Sequence, residues 1–312
     1  MKVHVVLLNY KTPQMTAKAL DHLMIALEEA PECRVWVVDN DSQDDSEAFL
    51  INKVSSLDDS RVTFVQSGHN GGFGYGNNVG IRRALRDQAP PDYIYLLNSD
   101  AFVEPDAVRV LVDFLDAHRE VGIAGSYIFG VDGVPHKTAF RFPSVYSEFE
   151  ESLRLGLISK LLSDHVVALP MPTAPTQVDW LAGCSMMLRR EVIEQVGMFD
   201  ETFFLYYEET DLCGRAGEAG WSTWYVPQSR VAHIGSASTG MKETEKRTPH
   251  FWFDSRRHYF RKNHGQAYLF AADAAHVAGS LVWRARRVIE RKEKQDRPKA
   301  LRDFVRHALT HF

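Results

Sequence analysis

Three carboxylates follow an aromatic and apolar run late in the chain, at Glu208, Glu209 and Asp211 within FFLYYEETDLC. A carboxylate beside aromatic side chains is poorly hydrated, which raises its pKa and suits it to accept a proton from an attacking hydroxyl. Because helical residues three apart share a face, we expect Glu208 and Asp211 on one side and Glu209 about 100° away. The segment therefore predicts that one or two of these acids face a cleft as a base while another caps the helix.

A second pair of residues has the donor atoms of a cation site. Asp100, in LLNSDAF, ends a predicted strand, and His233, in RVAHIGS, follows another. Carboxylate oxygen together with imidazole suits Mn²⁺, whereas Mg²⁺ prefers oxygen ligands alone. Taken singly, Asp100 could also cap a helix, and His233 could make an ordinary structural contact. Taken together they are compatible with a divalent cation, Mg²⁺ or Mn²⁺, held across a cleft.

The glycine-rich segment NGGFGYGNNVG, residues 70–80, lies between a predicted strand and a predicted helix. Backbone amides at such a junction can cradle a phosphate group. The segment contains neither GxGxxG nor GK[ST], so it is not a dinucleotide fingerprint or a P-loop. A glycine-rich turn without a ligand is the alternative interpretation.

The elements that must position these residues follow from the apolar pattern. Runs of four to six apolar residues alternate with helix-period segments through the first half, which predicts βαβ units and a doubly wound, mostly parallel α/β sheet. Asn9, Asp39 and Asp100 each end a predicted strand, so we expect them at the carboxyl edge, where open α/β sheets bind ligands. Residues 144–178 combine a helix-like segment with the proline-bearing ALPMPTAPTQ and are predicted to be an insertion or linker.

Composition excludes several classes of protein. A chain of 312 residues with 45% hydrophobic residues can form one large or two modest domains with a sizeable core. Its net charge of -5 gives no reason to expect nucleic-acid binding. The cysteines, Cys33, Cys184 and Cys213, are far apart and form no CxxC pair, which indicates reduced thiols in a cytoplasmic protein. No segment has the roughly 18 apolar residues that a membrane span needs.

The end of the chain, residues 266–312, is predicted to be a basic helical extension, because positions 284–306 hold ten Arg or Lys against four acids. A basic amphipathic helix fits peripheral contact with anionic lipid, here at the inner face of the plasma membrane. The alternative to lipid contact is that these helices pack on the preceding domain or on a second subunit in a homodimer.

Six segments, in order, resemble inverting family 2 glycosyltransferases of the GT-A fold, most closely their bacterial rhamnosyltransferase-like branch: VVLLNYKTPQ, VVDNDSQDDS, NGGFGYGNN, LLNSDAFVEPDA, the run from Trp180 to Trp221, and PQSRVAHIGSAST. The resemblance covers roughly residues 1–265, the expected GT-A domain. It implies sugar transfer from a nucleotide-diphosphate donor, dTDP- or UDP-linked, to a hydroxyl of a lipid-linked or polysaccharide acceptor of the cell envelope. The branch suggests L-rhamnose from dTDP-rhamnose. A catalytically inactive module that binds nucleotide sugars is the alternative.

The resemblance also implies roles by position. The nucleotide sugar is expected to contact Asn9, Tyr10, Asp39, Asn70, Gly71, Gly72, Phe73, Asn77 and Asp100, with Arg256 and Arg257 closing over the diphosphate. The acceptor is expected to contact Trp180, Ala182, Gly183 and Cys184. Asp100 and His233 are the implied metal ligands. The family's base is the aspartate of Glu-Asp-x-Asp, and Glu209 stands in its place, one methylene longer. Glu208 or Asp211 could therefore share the role of base.

Overall fold

The structure is a computed structural model that describes residues 2–30, 32–235, 245–293 and 296–310. Its strands are β1 (Val3–Asn9), β2 (Arg34–Asp39), β3 (Val62–Gln66), β4 (Tyr93–Asn98), β5 (Ala101–Val103), β6 (Val121–Phe129), β7 (Ala139–Phe140), β8 (Thr176–Val178), β9 (Trp180–Leu181), β10 (Ser185–Arg189) and β11 (Ser222–His233). Its α-helices are α1 (Pro13–Ala26), α2 (Ser46–Ser56), α3 (Gly72–Leu85), α4 (Ala107–Ala117), α5 (Val145–Leu153), α6 (Gly156–Leu161), α7 (Arg190–Val196), α8 (Glu208–Glu218), α9 (His250–His264), α10 (Gln266–Ile289) and α11 (Ala300–Thr310).

The described strands form one large mixed sheet in the order β3-β2-β1-β4-β10-β6-β11-β5, with β8 also paired to β11. The first four strands are parallel, and β10 runs antiparallel to both of its neighbours. Strands β7 and β9 form a separate two-stranded ribbon. The predicted α/β architecture with a mostly parallel sheet is confirmed.

Strand β1 shows why the sheet is covered on both faces. Successive side chains of a strand point to opposite faces. Val3, Val5 and Leu7 accordingly pack into the core beneath α1 and α4, whereas Val6 and Leu8 pack into a second core beneath α3. An unbroken apolar run is therefore stable only with helices on both sides. The polar residues that end these strands are left at one edge of the sheet.

The insertion and the C-terminal extension pack on each other. The helix-like segment of the insertion is divided into α5 and α6, with Arg154 between them at φ 50°. Helix α10 lies along α5 so closely that a Cβ on Gly279 would come within 2.1 Å of Ser152 Oγ. Helix α9 ends at His264, and Gly265, at φ 85°, separates it from α10. The extension thus contacts the preceding domain, and the division near residue 265 stays a prediction.

No helix within the described residues is both long enough and apolar enough to cross a bilayer.

Candidate active site

A cleft of about 760 Å³ lies at the carboxyl ends of the parallel strands. Tyr10 and Asn40 follow β1 and β2, and Asp100 follows β4, so the strand ends supply one wall as the sequence predicts. Of the residues expected to bind donor, acceptor or metal, or to act as the base, the cleft is lined by Tyr10, Asn70, Gly72, Phe73, Asp100, Ala182, Gly183, Cys184, Glu208, Glu209 and His233.

Asp100 and His233 meet in this cleft although they are far apart in sequence. Strand β11 pairs antiparallel with β5 and places His233 opposite Ala101. His233 Nε2 lies 3.1 Å from Asp100 Oδ1, and the backbone N–H of Gly235 donates to Asp100 Oδ2 over 3.0 Å. Burial alone would raise the pKa of Asp100, but the hydrogen bond and charge of His233, with the Gly235 amide, lower it overall. The predicted ligand pair therefore has an anionic oxygen next to an imidazole nitrogen.

The two adjacent glutamates begin α8 and both line the cleft. The residues before them, Tyr206 and Tyr207, have φ of 73° and 70°, a left-handed backbone that bulky residues adopt only when the surroundings enforce it. The backbone N–H of Gly183 donates to Glu209 Oε1 over 3.1 Å. A Cβ on Gly183 would lie 2.8 Å from Phe73 Cζ and 3.0 Å from Glu209 Cγ, so a larger residue here would press on both side chains. The acceptor-side segment and the expected base are thus in direct contact.

The glutamate pair is poorly solvated. Glu208 is fully buried, and its Oε2 has no hydrogen-bond partner among the described residues. Burial raises the pKa of Glu208 well above its ordinary value, and the charge of Glu209 raises it further. Burial also raises the pKa of Glu209. We infer that Glu208 holds its proton more tightly than Glu209, and that Glu209, which is partly exposed and hydrogen-bonded, is the group that can accept a proton.

Glu208→Gln should raise the Tm, and by more at about pH 8 than at about pH 5. The folded-state pKa of Glu208 lies above its unfolded-state pKa. The stability associated with its proton is therefore present below the unfolded pKa and is lost as the pH rises through the folded pKa. Glutamine has no proton to take up, so the variant escapes this loss.

Thermal melts across the pH range measure the difference in Tm, with Glu218→Gln, exposed at the other end of α8, as the matched control. Equal shifts at both pH values would contradict the inference.

Most of the glycine-rich segment, from Gly72 onward, lies within the first turns of α3, so this helix begins earlier than its sequence suggests. Gly72, at φ 89°, touches the segment before α8: a Cβ there would come within 1.8 Å of the Phe204 carbonyl oxygen. The N–H of Phe73 donates to that same carbonyl over 2.9 Å. Asn40 fixes the other side by donating to Asn70 Oδ1 and to the carbonyl of Gly72. The glycines therefore serve the close approach of two backbones at the cleft.

Asn9 and Asp39, expected to hold the nucleotide base, are buried behind the cleft and do not line it. Asp39 Oδ1 accepts from Asn9 Nδ2 and from Ser42 Oγ, each over 2.6 Å. Gln66 Nε2 donates to Asp39 Oδ2 over 3.1 Å. Since these bonds occupy both oxygens, the pair holds the strand ends together, and Tyr10 and Asn40 are the neighbours that reach the cleft.

Three more expected contacts are turned away from the cleft. Gly71 is the N-cap residue of α3, and the Asn77 side chain donates to the Phe73 carbonyl within that helix. Trp180 stacks on Phe140 with ring centroids 4.1 Å apart. Cys184 does line the cleft, but burial raises the pKa of its thiol to about 12, so it is not a nucleophile.

Asp211, expected as a possible second base, does not line the cleft. It is fully buried, with Arg215 Nε 2.8 Å from Oδ2 and Lys262 Nζ 2.7 Å from Oδ1. Of the three acids at the start of α8, Glu208 and Glu209 therefore line the cleft and Asp211 does not. The first two residues of the helix line the cleft, whereas Asp211 is held by Arg215 of the same helix and by Lys262 of α9.

Arg256 and Arg257 do not line the cleft either, which corrects the expectation that they close over a diphosphate. Both are buried, and Arg256 pairs with Glu148 of α5 over 3.0 Å and with Asp273 of α10 over 2.6 Å. Helix α9 instead presents Phe251 to the cleft. Among the described lining residues the basic side chains are Lys137 and the histidines His136 and His233. His136 and Lys137 follow β6 at the sheet edge, a position that could have indicated them.

A family model described as "Glycosyl transferase family 2" matches residues 4–197, more than half of the chain. The chain is a family 2 glycosyltransferase. This glycosyltransferase is 28% identical over 271 residues to the N-acetylglucosaminyl-diphospho-decaprenol L-rhamnosyltransferase of Mycobacterium tuberculosis, with 81% of this chain and 80% of that relative covered. It is 26% identical over 237 residues to the dTDP-rhamnosyl transferase RfbF of Shigella flexneri, with 76% and 70% covered. The expected membership of a rhamnosyltransferase-like branch is confirmed.

Among solved structures, the glycosyltransferase is similar to the mannosyltransferase PcManGT from Pyrobaculum calidifontis in complex with GDP-Man and Mn²⁺. The TM-score is 0.60 at 15% sequence identity, and the similarity covers 99% of this chain and 80% of that one. At this identity the similarity concerns the fold, and the GT-A assignment is confirmed.

Proposed function

We propose that this glycosyltransferase moves a sugar from a nucleoside-diphosphate donor, dTDP-L-rhamnose in the first instance, to a hydroxyl of a lipid-linked acceptor, with inversion at the anomeric carbon. The observation that carries the proposal is one cleft lined both by the Asp100–His233 pair and by Glu209. Direct displacement needs charge neutralisation for the departing diphosphate and a base for the incoming hydroxyl. The names of the two rhamnosyltransferase relatives support this donor and a lipid-linked acceptor.

Different residues assist the bond that forms to the acceptor and the bond that breaks to the diphosphate. Glu209 accepts the proton of the acceptor hydroxyl, and its bond to the Gly183 amide orients the carboxylate. Lys137 and His136 lie on the wall that would face the diphosphate. Phe73, Phe204 and Phe251 supply apolar surface that excludes water from the reacting sugar. The raised pKa of Glu208 favours its neutral form, which limits the negative charge beside the base.

The residues present fit a divalent cation at Asp100 and His233. A carboxylate with a lowered pKa is anionic at neutral pH, and its oxygen lies 3.1 Å from an imidazole nitrogen. Mn²⁺ accepts this mixed oxygen and nitrogen set more readily than Mg²⁺ does. When bound, the cation would neutralise charge on the leaving nucleoside diphosphate. The solved mannosyltransferase of the same fold is a complex with Mn²⁺.

Product analysis tests the proposed function. The full chain is incubated with a polyprenyl-diphosphate sugar acceptor, Mg²⁺ or Mn²⁺, and a panel of dTDP-, UDP- and GDP-sugars, and mass spectrometry with NMR identifies the product. We expect one deoxyhexose added from dTDP-L-rhamnose, with inverted anomeric configuration. Product with retained configuration would overturn the mechanism. Nucleotide-sugar binding without product from any donor would instead support an inactive binding module.

We also propose that the end of α10 contacts an anionic membrane on the cytoplasmic side. Val288 and Ile289 are 72% and 80% exposed, and Arg287 and Arg291 flank them. The double change Val288→Ser and Ile289→Ser should reduce co-sedimentation with phosphatidylglycerol vesicles several-fold. Phe270→Ser, 63% exposed at the other end of α10, is the matched control and should bind normally. Undiminished binding of the double variant would exclude this contact.

A further inference from the structure

A cluster of two histidines and an aspartate lies outside the cleft, between α9 and α11. His250 and Asp254 are one helical turn apart on α9, and His307 reaches them from α11. One ligand atom from each of the three side chains can be chosen so that all lie within 4.8 Å of one another. His307 Nε2 is 2.6 Å from Asp254 Oδ1. His307 is buried, whereas His250 and Asp254 face solvent, which leaves a path for an ion.

We propose that His250, Asp254 and His307 bind a Zn²⁺ ion that joins α9 to α11. Two imidazoles and one carboxylate are ligands that zinc takes at about 2.0–2.2 Å, with water in the fourth position. A tetrahedral ion with such bonds separates its ligand atoms by roughly 3.3 Å. That separation lies between the 2.6 Å of the Asp254–His307 contact and the 4.8 Å limit of the cluster. Small side-chain rotations would therefore bring all three ligands into place.

The scaffold around the cluster is already fixed by other contacts. Arg247, just before α9, donates two hydrogen bonds of 2.7 Å to the carboxylate of Asp303 on α11. Phe253 stacks on the His307 ring at 5.5 Å and packs edge-on against Phe304 at 6.2 Å. These contacts set the spacing of the two helices before any ion binds. Preorganised ligands lose little entropy on binding a metal.

The positive charge of Arg256, close to this cluster, is compensated. Arg256 and Arg257 border the small cavity next to His307. Arg256 is paired with the carboxylates of Glu148 and Asp273, so it does not oppose a cation with a full charge. The His250–Asp254–His307 set differs from the Asp100–His233 pair in having two imidazoles, and this favours zinc over Mg²⁺ or Mn²⁺.

The position of the cluster links it to the cleft. His250 precedes Phe251, which lines the cleft and packs against Phe204 with ring centroids 5.6 Å apart. An ion bound at the first turn of α9 would hold Phe251 in the cleft wall by tying that turn to α11. Zinc is thus a positioning ion here, and its site does not depend on the proposed sugar transfer.

Zinc titration of the chelator-treated full chain tests the proposal. Calorimetry on Asp100→Asn, in which the cleft pair is altered, should show one saturable Zn²⁺ per chain, and Co²⁺ should give the visible absorption of a tetrahedral site with nitrogen and oxygen ligands. His250→Ala and Asp254→Asn, both at exposed positions, should each weaken Zn²⁺ binding at least about tenfold. Added Zn²⁺ should raise the Tm of the parent chain and not that of His250→Ala.

Two control variants separate this site from other zinc binding. His264→Ala removes an exposed histidine from the other end of α9, and Asp100→Asn alters the cleft. Both should bind Zn²⁺ with the parent affinity. Absence of saturable binding, binding unchanged by His250→Ala, or binding lost with Asp100→Asn would each overturn the proposal.

Discussion

Glu209→Gln should lower kcat for sugar transfer by about 10²–10⁴-fold, the usual contribution of a general base, while donor affinity stays within about threefold. The amide keeps the shape of the side chain, and its oxygen can still accept the hydrogen bond from the Gly183 amide. What it loses is the ability to take the proton of the acceptor hydroxyl. Steady-state kinetics with the donor and acceptor, together with calorimetric donor binding, separate the two effects.

Two variants serve as controls for this result. Glu218→Gln makes the same change at the exposed end of α8 and should be as active as the parent. Glu208→Gln replaces a carboxyl whose raised pKa favours the neutral form, so it should retain most of the activity. If Glu209→Gln turned over normally, or if Glu208→Gln were the more damaging change, the base would not be Glu209.

The pH profile gives an independent measure of the same group. Burial raises the pKa of Glu209, so its carboxylate is protonated at a pH where an exposed glutamate is still ionised. The acid limb of kcat/KM should therefore fall above the ordinary glutamate pKa, about 4.3. The limb should disappear in Glu209→Gln and remain in Glu218→Gln. A limb at the ordinary glutamate value in the parent would show that the base is better solvated than its position indicates.

Sequence alone predicts the strands and the polar edge of the sheet because these follow from short-range patterns. The apolar run of β1 and the acid that follows β4 are local features, and a parallel sheet brings them to one edge. The pairing of Asp100 with His233 was expected from the family resemblance, and it depends on the antiparallel pairing of β11 with β5. The strand ends therefore need little knowledge of tertiary packing, whereas the contact of Asp100 with His233 needs the pairing of two strands that are distant in sequence.

The assignments that differ from the structure depend on distant partners. Asp211 and Arg256 each look like cleft residues in sequence, but Lys262 holds the former, and Glu148 and Asp273 hold the latter. A charged residue in a motif can line a cleft, or it can form an ion pair with an element far along the chain. Spacing within the motif does not distinguish these two roles. Phe251 is not indicated by the sequence for the converse reason, because only packing brings α9 to the cleft.

Asp100→Asn should reduce kcat/KM by about 10²–10⁴-fold, corresponding to the several kcal/mol that a bound cation supplies, and should weaken donor binding as well. The change is isosteric and can keep contacts to His233 Nε2 and the Gly235 amide, so the fold should persist. It removes the anionic oxygen, so the Mn²⁺ concentration for half-maximal activity should rise.

Asp106→Asn, at an exposed position before α4, is the matched control and should change neither kcat/KM nor this Mn²⁺ concentration. If Asp100→Asn loses donor binding while Glu209→Gln keeps it, the diphosphate and the acceptor hydroxyl lie at opposite sides of the cleft. Parent-like Mn²⁺ dependence in Asp100→Asn would remove the proposed cation from this position.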